Sequence, residues 1–105
     1  MSARNFTVRL LSAAEQDFFE IIDYFAAENP SAALKVLDGI EKQLQELKRH
    51  PLLGRVPADT SLARMGYRVL VVGDYLIFYK LKEKTALVYR IVHGTRDVVP
   101  LLEDL

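Results

Sequence analysis

The chain contains no cysteine, and histidine occurs only at positions 50 and 93. Without cysteine, neither a disulfide framework nor a thiolate metal site can form. His50 and His93 lack neighbouring ligands at metal-binding spacing, so we expect no metal and no cofactor. No apolar run reaches the roughly 18 residues that cross a bilayer. The opening residues Met1 to Asn5 lead directly into a strand-like segment and lack the apolar core of a signal peptide. These absences together predict a cytoplasmic protein.

An excess of charge of one sign is also missing, because 14 basic and 14 acidic residues cancel. A dedicated nucleic-acid binder normally carries a basic excess, since phosphate neutralisation supplies most of its affinity. The total nevertheless hides a local imbalance. Acids dominate from Glu15 to Glu28, where no lysine or arginine occurs, and six arginines follow later in the chain: Arg49, Arg55, Arg64, Arg68, Arg90 and Arg96. The second half is therefore expected to present a cationic face on a neutral molecule.

Apolar residues make up half of the chain and charged residues 27%, a composition that excludes disorder. A chain of 105 residues is expected to form one domain, spanning residues 1–105. It buries roughly 60–70% of its unfolded surface, which is enough for one modest core.

Two capped helices are predicted near the N-terminus. The segment from Ser12 to Glu15 has the spacing of a capping box, in which the serine hydroxyl and the glutamate carboxylate each satisfy a free amide at a helix start. Apolar residues then recur at spacings of three and four, and the helix should stop near Glu28 because Pro30 disfavours helical geometry at Asn29. Asn29 and Pro30 are also typical of a helix cap and a first helical position. A second helix therefore follows, ends before Pro51, and forms an antiparallel hairpin with the first.

Gly39 lies in the middle of the second predicted helix. Glycine at such a position costs about 1 kcal/mol relative to alanine. A close approach of the two helices would explain its presence, and the alternative is a tolerated defect.

Strand-like runs flank the helices. Phe6 to Leu10 precedes them, and three runs follow: Tyr67 to Val72, Tyr75 to Leu81, and Ala86 to His93. Valine, isoleucine, leucine, tyrosine and phenylalanine are dense in the last three runs, and short breaks divide them, so they predict an antiparallel meander. Tyrosines in such strands are typical of half-buried packing, although their rings can also stack on bases.

The remaining segments indicate a loop and a tail. Between residues 51 and 66, prolines, glycines and polar residues predict an ordered loop with a short turn of helix near Leu62 to Arg64. A short tail runs from Val98 to Leu105. The order of segments predicts an α+β fold, in which an N-terminal strand and a helical hairpin pack on a small, mostly antiparallel sheet that ends in a C-terminal three-stranded meander.

Arg68 and Arg90 are single charges among apolar strand residues. Strand alternation places Arg68 on one face with Leu70 and Val72, and Arg90 on one face with Val88 and Val92. In one interpretation each arginine extends to the rim or pairs with a carboxylate such as Asp74 or Asp97. In the other, the two arginines form a cationic floor that holds phosphate or carboxylate.

His93 and Arg96 follow the last strand in the segment His93-Gly94-Thr95-Arg96-Asp97. Polar groups at a strand end are free to meet a partner. The histidine could act as a general base and the arginine could stabilise a phosphorane during RNA cleavage. The structural alternative is a strand-end turn, in which Gly94 permits a tight bend and Arg96 forms an ion pair with Asp97.

Taken in order, these segments resemble the RelE/ParE toxin superfamily along nearly the whole chain. The motifs that carry the resemblance follow the opening strand and the helical hairpin: Pro51-Leu52-Leu53-Gly54-Arg55, Gly66-Tyr67-Arg68, Asp74-Tyr75-Leu76-Ile77-Phe78-Tyr79-Lys80 and Arg90-Ile91-Val92-His93-Gly94-Thr95-Arg96-Asp97. The resemblance implies the toxin of a type II toxin–antitoxin module, a class often described as plasmid stabilisation proteins, which arrest growth. It also implies a cognate antitoxin, ParD-like or a similar DNA-binding protein encoded adjacently, that wraps over the toxin and silences it.

The superfamily has two activities, which differ in the basic and C-terminal residues that they require. RelE-like members cut messenger RNA on the ribosome with basic residues on the sheet and, often, a tyrosine or a histidine–tyrosine pair near the C-terminus. ParE-like members block DNA gyrase and are not nucleases. Arg68 and Arg96 match two of the basic positions, but Leu70 and Leu76 occupy others. The tail from Val98 to Leu105 contains no tyrosine and no histidine, so the ParE-like activity is favoured.

We therefore expect a gyrase inhibitor whose contacts with target or antitoxin involve Arg55, Arg68, Arg90, His93 and Arg96. The first alternative is a RelE-like, ribosome-dependent endoribonuclease with a reduced active site. In that case Arg68 and Arg96 bind phosphate and His93 transfers protons. The second alternative is an inactive module that only binds antitoxin.

Overall fold

A computed structural model describes residues 6–103, and the expectations that concern Met1 to Asn5 and the last two residues of the tail lie outside this range. The elements are β1 (Thr7–Leu10), α1 (Ser12–Glu28), α2 (Pro30–Arg49), α3 (Thr60–Arg64), β2 (Arg68–Val72), β3 (Tyr75–Lys82), β4 (Thr85–His93) and α4 (Val99–Glu103). Within the described range, no helix combines the length and the apolar character that a membrane span requires.

The four strands form one sheet in the order β1-β4-β3-β2. β2, β3 and β4 form the predicted antiparallel meander, and β1 joins β4 as a parallel edge strand. The tight turn between β2 and β3 is possible because Gly73 adopts a positive φ of 58°, which glycine tolerates without steric cost. The predicted α+β fold with a mostly antiparallel sheet is confirmed.

The two long helices begin by different means. Asn29 caps α2 as predicted, because its side-chain oxygen accepts a hydrogen bond of 3.2 Å from the backbone N–H of Ala32. The predicted capping box of α1 is wrong: the cap is Leu11, and no side chain caps this helix. Instead, the Leu11 N–H donates to the carbonyl of Val88 in β4, and the Leu11 carbonyl accepts from Glu15 N–H. Pairing with the sheet therefore fixes where α1 starts.

Helices α1 and α2 cover one face of the sheet and form the larger core. Its fully buried members come from both layers: Ala14, Ile21, Ile40, Leu47, Leu70, Ile77, Tyr79, Ala86, Val88 and Ile91. Gly39 lies where α2 crosses the sheet, and a Cβ atom on it would lie 2.9 Å from Cγ1 of Val72. The close approach that explains Gly39 is therefore between α2 and β2, so the expectation of a helix–helix contact is wrong.

Short helices cover part of the opposite face. The predicted turn of helix near Leu62 is confirmed as α3, which Asp59 caps by accepting hydrogen bonds from Leu62 N–H and from the Ser61 hydroxyl. These bonds, chiefly the one from Leu62, lower the pKa of Asp59. The predicted tail contains helix α4, whose Leu102 is 1% exposed. Tyr67 donates its hydroxyl hydrogen to the Leu102 carbonyl over 3.1 Å, and so ties α4 to the sheet.

Candidate functional site

Arg90 lies where β4 departs from regular pairing. Phe78 of β3 is paired with Arg90, but the next residue of β3, Tyr79, is paired with Val88, which leaves Tyr89 as an extra residue in β4. Beyond this bulge the alternation shifts, so Val88 and Ile91 both face the long helices. The sequence-based alternation, which placed Arg90 on one face with Val88 and Val92, is therefore wrong.

The partner of Arg90 is Asp17 of α1. The Asp17 carboxylate accepts hydrogen bonds from Arg90 Nε at 2.7 Å and Nη2 at 2.8 Å, and from the backbone N–H of Ile91 at 2.9 Å. The expected carboxylate partners, Asp74 and Asp97, are thus wrong for this residue. The side-chain hydrogen bond with Asp17 raises the pKa of Arg90. Because Asp17 is 6% exposed, the pair is largely removed from water and the charge of Arg90 is compensated inside the fold.

Arg68 and Tyr79 hold the loop that follows α2. Arg68 donates from Nε to the Gly54 carbonyl at 2.8 Å and from Nη2 to the Leu52 carbonyl at 3.3 Å. The Tyr79 hydroxyl accepts from Gly54 N–H at 2.9 Å and donates to the Pro51 carbonyl at 2.7 Å. These four bonds give a physical reason for the Pro51-Leu52-Leu53-Gly54-Arg55 motif. They also direct two of the five N–H donors of Arg68 to backbone carbonyls.

Arg55 extends the sheet beyond β2. Its backbone N–H donates to the Val69 carbonyl at 3.0 Å, and its carbonyl accepts from Val69 N–H at 2.8 Å. The Arg55 side chain is exposed. Several large apolar side chains near it in the loop and on β2 are exposed as well: Leu52, Leu53, Val56 and Val71.

His93 and Arg96 belong to the turn after β4. Gly94 N–H donates to the Asp74 carbonyl at 2.8 Å, and Arg96 N–H donates to the His93 carbonyl at 3.0 Å, so the predicted strand-end turn is present. Nδ1 of His93 lies 2.8 Å from the Thr95 hydroxyl and 3.3 Å from the Thr95 backbone nitrogen, so Thr95 fixes the position of the imidazole. The expected ion pair between Arg96 and Asp97 is wrong, since no such contact occurs in the described range.

A cleft of about 160 Å³ lies between α1 and the ends of β3 and β4. Its lining includes His93 and Arg96 together with Glu20, Tyr24 and Tyr75. The imidazole of His93 meets the ring of Tyr75 edge to face, with centroids 5.4 Å apart. Glu20 and Tyr24 were not predicted as site residues, although the acidic character of the segment from Glu15 to Glu28 was a signal. Within residues 6–103 no cluster of three metal-ligating side chains occurs.

The five predicted residues do not form one site. Arg68 of β2 is paired with Tyr79 of β3, and His93 of β4 is paired with Tyr75 of β3. Arg68 and His93 therefore lie on opposite sides of β3, and their pairing partners are four residues, or about 13 Å, apart along that strand. Arg55 bridges to the outer edge of β2, and Arg90 is bound to Asp17 beneath α1. Only His93 and Arg96 share a cleft.

Comparison with known proteins assigns the chain to a family. The model of the ParE toxin of the type II toxin–antitoxin system parDE matches residues 8–98. The chain belongs to this toxin family. None of the curated proteins compared matches its sequence significantly.

Solved structures that share the fold include two from toxin–antitoxin systems. A chain of the chromosomal ParDE toxin–antitoxin system from P. aeruginosa has a TM-score of 0.69 at 21% identity, and the match covers 87% of this chain and 98% of that one. A chain of the toxin–antitoxin complex RelBE2 from Mycobacterium tuberculosis has a TM-score of 0.60 at 24% identity, with coverage of 85% and 98%. The resemblance to the RelE/ParE superfamily, and to its ParE-like members, is confirmed.

In this ParE-family chain, Leu70 and Leu76, the two leucines at positions where the resemblance to RelE-like nucleases implies basic residues, serve packing. Leu70 is 5% exposed in the core beneath the long helices, and Leu76 is half-buried on the opposite face, against the cluster that contains Leu62 and Leu102. A lysine or arginine at Leu70 would place an unpaired charge in the core, which is costly. The fold therefore accommodates leucine at this position better than a basic side chain.

Proposed function

We propose that this ParE-family toxin acts by binding DNA gyrase and stabilising or stalling its DNA-cleaved state, with no chemistry of its own. The observation that carries the proposal is the dispersal of the basic residues. Arg68 hydrogen-bonds two loop carbonyls, Arg90 hydrogen-bonds Asp17, and neither arginine is among the residues that line the cleft of His93 and Arg96. A phosphodiesterase needs acid, base and cationic groups converging on one phosphate.

Of the five predicted contact residues, we assign direct contact with target or antitoxin to Arg55, His93 and Arg96. Arg55 and Arg96 have exposed side chains, and His93 is half-buried at the cleft. Arg68 and Arg90 act on the partner surface indirectly, because they hold the Pro51–Arg55 loop and the β4 bulge in place.

A cognate antitoxin, ParD-like and encoded adjacently, is proposed to neutralise the toxin. The two structural neighbours come from toxin–antitoxin systems, which supports a partner of this kind. Exposed apolar side chains at the β2 edge supply a surface for an amphipathic partner segment: Leu52, Leu53, Val56 and Val71.

A supercoiling assay with purified gyrase tests the proposal. The wild-type protein should inhibit supercoiling, accumulate cleaved DNA, and lose both effects when antitoxin is added. Arg96→Gln should weaken inhibition, whereas Arg64→Gln, which removes an exposed charge from α3, should not. Full supercoiling activity at a large excess of folded toxin would refute the proposal.

The ribosome-dependent endoribonuclease remains the second candidate, since one observation favours it. Glu20, His93 and Arg96 line the same cleft, and together they supply a carboxylate, an imidazole and a guanidinium. If the cleft cleaves messenger RNA, His93→Ala or Arg96→Ala should abolish cleavage with little change in melting temperature. If the chain is instead an inactive antitoxin-binding module, its induced expression should leave growth unaffected.

A further inference from the structure

The sheet face opposite the long helices has an apolar half and a basic half. Helices α3 and α4 cover the apolar half through Leu62 and Leu102. Along each strand, the residues of the other half alternate with residues of the larger core, such as Val8, Leu81 and Ala86. Because successive strand residues face opposite sides of the sheet, this half faces away from the long helices. It carries Thr7, Arg9, Lys80, Lys82, Thr85 and Leu87, and we refer to it as the outer basic face.

Strand register places the charges of the outer basic face close together. Arg9 of β1 and Lys80 of β3 are both paired with Leu87 of β4, so the three form one row across the sheet. Thr7 and Lys82 are both paired with Thr85 in the next row. Since strands lie about 4.8 Å apart and alternate residues about 7 Å apart, the three cationic residues have Cα atoms within about 12 Å of one another.

Among residues 6–103, no carboxylate lies within ion-pair distance of these three charges. Within the described range, the side chains of Arg9, Lys80 and Lys82 form neither an ion pair nor a hydrogen bond, and Arg9 and Lys82 are exposed. Glu83 in the β3–β4 turn contacts none of them within ion-pair distance. This differs from Arg90, which has Asp17, and from Arg49, which has Glu46.

The ammonium group of Lys80 contacts two aromatic rings, and these rings take the position that an anionic partner would have. Its Nζ lies 4.5 Å from the ring centroid of Tyr67 and 5.0 Å from that of Tyr89. Tyr67 is fixed by its hydrogen bond to Leu102, and the two rings meet edge to face with centroids 5.2 Å apart. A cation–π contact orients the ammonium and leaves its charge uncancelled, so Lys80 is positioned to meet an anion from solvent.

We propose that the outer basic face binds single-stranded nucleic acid through its sugar–phosphate backbone. Lysine, arginine and threonine are the side chains that contact phosphate oxygens, and the face presents all three on an open sheet. The ring of Tyr89, which is partly buried and lies next to Lys80, adds an aromatic group of the kind that single-strand sites use. The face lies away from the His93–Arg96 cleft, and the proposal does not require gyrase to be the target.

The test measures binding of a fluorescent single-stranded oligonucleotide of about 12 nucleotides, as DNA and as RNA, between about 50 and 200 mM salt. Three phosphate contacts predict a slope of log K against log salt near −2, at about −0.7 per contact. The variant Lys80→Gln with Lys82→Gln should reduce the slope by about 1.4, and Arg9→Gln by about 0.7. The matched control, Lys35→Gln with Lys42→Gln, removes two exposed charges from α2 and should leave the slope unchanged.

Three results would overturn the proposal. The first is the absence of binding at the lowest salt, and the second is an equal change of slope in the control variant. The third is equally tight binding of a poly-glutamate peptide of matched charge, which would assign the face to an acidic protein segment. Comparison of the DNA and RNA arms shows which sugar is preferred, and preference for either supports the proposal. Unchanged thermal melting of each variant confirms that lost binding does not reflect lost folding.

Discussion

Asp17→Asn keeps the shape of the side chain and removes the negative charge that Arg90 meets. The side chains of Asp17 and Arg90 are 7% and 16% exposed, so the arginine cannot recover full hydration when its partner is neutral. Breaking a buried ion pair by changing one partner typically costs about 3–5 kcal/mol. Because the asparagine oxygen can still accept the hydrogen bonds from Arg90 Nε and from Ile91 N–H, we expect about 2–3 kcal/mol. In a protein of this size, that corresponds to a fall in Tm of roughly 10–20 °C.

Urea unfolding at equilibrium measures this loss, and Asp23→Asn is the matched control. Asp23 lies on the same helix with an exposed side chain, so its loss should change the free energy of unfolding by less than about 0.5 kcal/mol. A double variant, Asp17→Leu with Arg90→Met, should be more stable than the sum of its single changes predicts, because it leaves no buried charge unpaired. The reasoning is refuted if Asp17→Asn costs as little as Asp23→Asn, or if the two single effects add.

Two further changes test the loop clamp and the α4 contact. In Gly54→Ala the new Cβ would lie 2.7 Å from Cε1 of Tyr79 and 2.9 Å from the Val69 carbonyl oxygen. We therefore expect the free energy of unfolding, measured in urea, to fall by about 1–3 kcal/mol. An unchanged free energy of unfolding would show that the loop is not held tightly against Tyr79. Burial raises the pKa of Tyr67 from 10.0 to about 12, with a smaller contribution from Tyr89. The folded state therefore favours the neutral phenol, and the stability that this contributes is present below pH 10 and is lost as the pH rises through about 12. In Tyr67→Phe, pH-dependent melting should lose less stability between pH 10 and 12 than in the wild type, and identical profiles would contradict the assignment.

Local signals predicted those elements whose causes are local. Asn29 and Pro30 mark the start of α2 because a cap and a first-turn proline act within one helical turn. The meander follows from β-rich runs separated by short turns, and its pairing is as predicted. The order of the motifs also indicated the toxin family, because that order is a property of the whole chain.

Features set by distant residues were not predicted. The spacing of Ser12 and Glu15 predicts a cap at Ser12, but the start of α1 depends on Leu11 pairing with Val88, far along the chain. The bulge at Tyr89 shifts the alternation of β4, and Asp17, which accepts from Arg90 and from Ile91 N–H, lies more than 70 residues away in sequence. The sequence pattern of a strand does not indicate a partner on a distant helix. The strand sequences alone therefore could not predict which arginines have a carboxylate partner and which do not.

We propose that this ParE-family toxin acts on its target by obstruction and not by cutting RNA. The most direct test incubates the purified protein with programmed ribosomes and maps the messenger by primer extension, in parallel with gyrase supercoiling on the same preparation. The account predicts intact messenger and inhibited gyrase. Codon-specific cuts that disappear in His93→Ala, with gyrase unaffected, would contradict it.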